Sequence, residues 1–158
     1  MTWVDGAAQI QDDYEANIPT VFVPNVFSFA TEGKTFRFGS IKMPLELWAP
    51  WRESEENGLS GLAEVETAVR NLLQPAVVLD ILQNFTIFAT DKKHRKIKII
   101  CRYQQYYTAN RIVERVVTGR IKKGLIWHFQ GSGKSLLMLF AARKLRLHPA
   151  LPSPGHFA

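Results

Sequence analysis

The 158-residue sequence has a single cysteine, Cys101, so no disulfide can close within the chain and a reducing, cytoplasmic setting is expected. No stretch approaches the roughly 18 uninterrupted apolar residues of a membrane span. Met1-Thr2-Trp3-Val4-Asp5 has neither the basic start nor the apolar run of a secretion signal, so no membrane association is expected. There is no internal repeat, and no Asp or Glu follows Glu114. Apolar side chains are not scarce. With 46% hydrophobic residues, ten Phe and four Trp, the chain can offset the ordering entropy of a core, which excludes a disordered charged tail.

The formal net charge of +6 conceals an asymmetry. Residues 1–79 carry 5 Lys+Arg against 11 Asp+Glu, a balance of −6, and residues 80–158 carry 15 against 3, a balance of +12. A basic half suits a polyanionic partner such as DNA, because phosphate neutralisation releases counterions. A solvated basic face is the competing reading.

Periodicity predicts a short helix over 7–17, ended ahead of Pro19. The β-branched and aromatic runs Thr20–Val23, Val26–Phe29 and Thr35–Phe38, with Gly33 at a turn, predict a hairpin. Residues 42–59 show no sustained period. Leu62, Val65, Val69 and Leu72 recur at helical spacing after Ser60, and a second short helix is expected around Val77–Leu82. Two strands are expected at Phe85–Phe88 and Ile97–Ile100. A helix follows from Arg102 to Val117, with Tyr106, Ala109, Val113 and Val116 on one face and Gly119 as its stop. Gly124–Trp127 reads as an apolar strand, His128–Gly133 as a glycine loop, and Lys134–Leu147 as a helix ended by Pro149.

The loop His128-Phe129-Gln130-Gly131-Ser132-Gly133-Lys134-Ser135 fits the phosphate-loop pattern G-x-x-x-x-G-K-[ST] except that His128 replaces the first glycine. Each residue type has a chemical reason. Glycines let successive N–H groups converge on phosphate oxygens, the lysine reaches the terminal phosphates, and the hydroxyl can hold magnesium. Gln130, Gly131, Ser132, Gly133, Lys134 and Ser135 are therefore the candidate ATP-binding residues, with Ser135 the candidate metal ligand.

Gly124-Leu125-Ile126-Trp127-His128-Phe129-Gln130-Gly131-Ser132-Gly133-Lys134-Ser135 closely resembles the first motor motif of the R subunit of type I restriction-modification enzymes, where the loop typically reads W-H-T-Q-G-S-G-K-[ST]. The histidine is thus the family's own departure, and Phe129 in place of threonine is peculiar to this sequence. Upstream, Arg102-Tyr103-Gln104-Gln105-Tyr106 with Ala109 and Val113-Glu114-Arg115 resembles the segment where that family places an adenine-reading glutamine. The resemblance assigns this role to Gln105, with Arg102 in support. A surface glutamine on an amphipathic helix is the competing reading of Gln105. Near the start, Gln9-Ile10-Gln11, Tyr14-Glu15, Ile18-Pro19, Phe22, Asn25 and Phe27 resemble the end of the family's nuclease domain. Gln and Tyr are usually spaced there as Q-x-x-x-Y, and Gln9 and Tyr14 stand one residue further apart.

The resemblance implies an α/β fold with a mixed α+β N-terminal part. An incomplete phosphate-loop, RecA-like motor domain would be preceded by the end of a PD-(D/E)xK-type nuclease domain and a linker. The expected divisions are 1–40 for the nuclease-like part, 41–84 for a helical connector, and 85–158 for the start of the motor. It further implies ATP and Mg2+ as cofactors, and as partners DNA and the modification and specificity subunits of a restriction complex. No catalytic residue is assigned. Asp13 with Glu32 and Lys34, and Asp80 with Asp91 and Lys93, match a nuclease signature only nominally, since both put the E/D-x-K element on a hairpin turn. A superfamily 2 motor also needs a downstream carboxylate motif, so a truncated or frameshifted segment, inactive alone, is expected. A non-enzymatic, basic nucleic-acid-binding or interaction module is the alternative.

Overall fold

The computed structural model describes residues 2–52, 59–90, 94, 96–120, 123–127 and 131–151. The chain divides once into compact units, residues 1–102 and 103–158, with the break at the start of the long helix after Arg102. The second hairpin lies within the first unit.

The first unit opens with α1 (Trp3–Gln9), which runs through a π-helical turn (Ile10–Tyr14) into α2 (Glu15–Asn17). Thr2 and Asp5 form a capping box at its start, with the Thr2 N–H bonded to the Asp5 carboxylate at 2.5 Å. The Thr2 backbone bond holds the Asp5 carboxyl below its ordinary value.

Thr20–Val23 does not form the expected strand. Pro19–Phe22 is a 3-10 turn instead, and Val21 and Val23 are exposed with no ladder partner to extend them. The hairpin consists of β1 (Ser28–Thr31) and β2 (Phe36–Gly39), antiparallel with Phe29 opposite Phe38. Glu32 and Lys34 lie on its turn, as expected. Phe38 and Ala49 exchange backbone hydrogen bonds at 2.9 and 3.0 Å, which brings the Trp48–Trp51 segment onto the sheet. Gly39 is required there, because a Cβ would stand 2.5 Å from the Trp48 indole nitrogen.

Aromatic packing fills the core. Phe38 meets Phe27 and Trp51 edge to face at 5.8 and 5.5 Å, and Trp48 joins Ala7 and Ala30 beneath α1. The turn after Leu59 leads to α3 (Leu62–Leu72), capped by Gly61 rather than Ser60. It buries Val65, Ala68 and Leu72, so the inward face is rotated from the expected one and leaves Leu62 exposed. Then α4 (Pro75–Asn84) starts on proline at its first position, where no N–H is missed.

The second hairpin, β3 (Thr86–Thr90) with β4 (Lys96–Ile100), is antiparallel with Ile87 opposite Ile99. Ser40 Oγ donates to the Lys98 carbonyl at 2.5 Å, and Lys98 Nζ donates to the Asn25 carbonyl, so polar bonds tie β4 to the region of the first hairpin. Burial lowers the Lys98 pKa.

The second unit contains α5 (Tyr103–Thr118) and α6 (Lys134–Arg146), which pack together. α5 buries Tyr103, Gln105, Tyr106, Ala109 and Val113, while Val116 at its end is exposed. Gly119, at φ +63°, donates to the Arg115 carbonyl and ends the helix. α6 buries Leu137, Phe140 and Ala141, and Lys144 Nζ reaches Asn110 Oδ1 of α5 at 2.5 Å. Among the described residues both sheets are two-stranded and antiparallel. Residues 124–127 are not a strand: Leu125, Ile126 and Trp127 are exposed and lack a ladder.

Candidate phosphate-binding site

The site begins with backbone geometry at the entry to α6. Gly131 has φ +85° and Gly133 has φ +80°, left-handed values that L side chains seldom adopt. Gly133 is the N-cap, and its carbonyl accepts the Leu137 N–H at 3.0 Å as the helix starts. A helix leaves its first N–H groups without intrahelical acceptors, and the peptide dipoles make that end electropositive. No acidic residue stands in the first turn of α6 to offset it. Lys134 and Ser135, the first two helical residues, are exposed there. Both glycine conformations, the uncompensated helix end, the ammonium and the hydroxyl suit a phosphate with its magnesium ion. Gln130 lies outside the described residues.

Gln105 comes to the same place from α5. It is only 4% exposed, which overturns the surface-glutamine reading. Its Nε2 donates to the Gly133 carbonyl at 3.1 Å and is 3.5 Å from that of Ser132. A Cβ at Gly133 would collide with that same nitrogen, whereas one at Gly131 would meet nothing within 4 Å among the described residues. Both glycines are needed for their left-handed backbone, and Gly133 in addition lies against Gln105. The sequence shows the loop chemistry, but a contact across 28 residues leaves no local signal. Arg102 is exposed and immediately precedes α5.

Elsewhere in the second unit, the end of α5 and residues 123–127 line a groove of about 810 Å³, bordered by Arg111, Arg115, Ile112, Lys123 and Trp127. Arg115 Nη1 donates to the Lys123 carbonyl at 2.8 Å. Tyr103 and Tyr106 are buried in the helix face, so they form no base-stacking platform.

Asp80 accepts a hydrogen bond from Asn84 on α4 at 2.8 Å, Asp91 and Lys93 lie outside the described residues, and no group of three or more potential metal ligands exists among those described. No helix among the described residues is long and apolar enough to cross a membrane.

The SWI2/SNF2 ATPase family pattern matches residues 104–154, from α5 through the loop and α6. The type I restriction enzyme HindI endonuclease subunit of Haemophilus influenzae is 33% identical over 152 residues, covering 90% of this chain. An endonuclease subunit assigned to type I restriction enzyme MjaVIIIP of Methanocaldococcus jannaschii is 40% identical over 82 residues, or 49% of the chain. The chain spans 14% and 8% of the lengths of these two relatives. No solved structure matches. Identity sustained along nine-tenths of the chain, together with an ATPase pattern over the loop, places this protein in the family of type I restriction enzyme endonuclease subunits.

Proposed function

We propose that the second unit is the ATP-holding opening of the family's motor, and that the chain serves ATP-dependent translocation and cleavage of unmodified DNA together with modification and specificity subunits. The observation that carries this reading is the loop itself. Left-handed Gly131 and Gly133 lead directly into an electropositive helix end bearing Lys134 and Ser135. Gln130 to Ser135 would surround the terminal phosphates, with the Lys134 ammonium neutralising their charge and the Ser135 hydroxyl holding magnesium. Bound ATP supplies the phosphoryl group whose hydrolysis drives such a motor. Gln105 supports the loop from α5, and Arg102 is carried by the resemblance alone.

Phosphoryl transfer also needs a residue to orient the attacking water and a carboxylate for the metal, and neither role is assigned to a residue of this sequence. The test is titration of the purified full chain with a fluorescent ATP analogue and Mg2+. Lys134→Ala should weaken binding by about tenfold or more, since charge-assisted bonds contribute about 1.5–3 kcal/mol. Equal affinity in the variant would refute the site.

The alternative, a basic nucleic-acid-binding module, draws on Arg111, Arg115 and Lys123 around the groove. It requires salt-sensitive duplex binding that Lys134→Ala and added ATP leave unchanged.

A further inference from the structure

The resemblance gives Gln105 to the adenine base, but the geometry gives its amide nitrogen to the loop. Nε2 donates to the Gly133 carbonyl at 3.1 Å and is 3.5 Å from the Ser132 carbonyl, so its hydrogens face backbone oxygens. The Gly133 oxygen simultaneously accepts the Leu137 N–H. A buried carboxamide is held firmly by such bonds, because leaving them costs the desolvation of its dipole. The fit is also steric, since Gln105 fills the space that a Cβ on Gly133 would need.

Peptide planarity carries the effect to the far side of the loop. In a trans peptide the C=O and N–H point in opposite directions. Holding the Ser132 and Gly133 carbonyls on the α5 side therefore aims the N–H groups of Gly133 and Lys134 away from α5. These are the donors that a phosphate at the start of α6 would meet.

We propose that Gln105 is a positioning residue for the phosphate loop, fixing two peptide planes so that their N–H groups are aimed before any ligand arrives. It then acts on the phosphates of every nucleotide, independently of the base. This inference rests on the loop holding phosphate, and its experiment separates the two.

The full chain, Gln105→Glu and Gln105→Met are compared in binding Mg2+ complexes of ATP, GTP and base-free tripolyphosphate, with thermal midpoints measured alongside. Both substitutions keep the side chain's length and remove its donors. All three ligands should weaken by a common factor of about tenfold, the loss expected for a bond or two. Without ligand, the backbone amide resonances of Gly133 and Lys134 should shift in both variants while those near Ala141 stay in place. A loss confined to ATP, or unmoved Gly133 and Lys134 resonances, would overturn the proposal. If the unmodified chain fails to bind tripolyphosphate, the phosphate-site reading falls and the ligand-free resonances still decide whether Gln105 sets the loop.

Discussion

Glu15 is 4% exposed, and one of its oxygens accepts the Lys42 N–H at 2.9 Å while the other, Oε1, has no donor among the described residues. Burial pushes its carboxyl above the ordinary range, outweighing the Lys42 bond that acts the other way. A raised folded value means that the folded state holds the proton more tightly. The associated stability is complete below the ordinary glutamate value and is lost as pH rises through the folded one. The thermal midpoint should therefore fall on going from mildly acidic to neutral pH, and Glu15→Gln, which keeps an acceptor for Lys42, should flatten that slope. Thermal unfolding across pH for both proteins checks it. The glycines supply a second prediction at this scale. Gly131→Ala meets only the conformational penalty of positive φ, about 1–2 kcal/mol, whereas Gly133→Ala also strikes Gln105. Nucleotide titration should show the larger loss for Gly133→Ala, and an equal loss would mean that Gln105 simply moves aside.

Among the elements, the π-helical turn at Ile10–Tyr14 departs from the regular helix expected over 7–17: the Glu15 N–H bonds to the Ile10 carbonyl five residues back. Deleting the exposed Asp12 should convert this turn to regular α-helix with little effect on near-UV circular dichroism or the thermal midpoint. Deleting Glu66 from α3 should be costly, because it rotates Ala68 and Leu72 away from the core. Helices were legible in the sequence wherever apolar residues recurred at helical spacing, as in α3, α5 and α6. Thr20–Val23 and Gly124–Trp127 were not, because strand-forming side chains report a pleated, half-buried surface rather than a backbone preference. Without a neighbouring strand, Val23 and Trp127 stay in solvent at 81% and 88% exposure.

At the scale of the whole chain, the two units also differ in charge, though by less than the two halves do. Residues 103–158 contain nine Lys+Arg against Glu114 as their single acid, and residues 1–102 contain 11 against 13. Duplex DNA binding should therefore weaken steeply with added salt, and Arg111→Ala with Lys123→Ala should reduce both the affinity and the salt slope. Fluorescence anisotropy at several salt concentrations measures both quantities. Binding that is insensitive to salt would remove the basic surface from any account of DNA contact.

The sequence by itself determined what is local: the Gly-x-Gly-Lys-Ser chemistry, the helix that follows it, the charge asymmetry and the family resemblance. Only the tertiary structure decided that Gln105 is buried against the loop, that it occupies the space a Cβ on Gly133 would take, and that a π-helical turn interrupts the first helix at Ile10–Tyr14. The physical reason is the range of the interactions. Helical periodicity and turn chemistry act within a few residues, whereas a strand's partner or a buried amide's acceptor is chosen by whatever the fold brings alongside it.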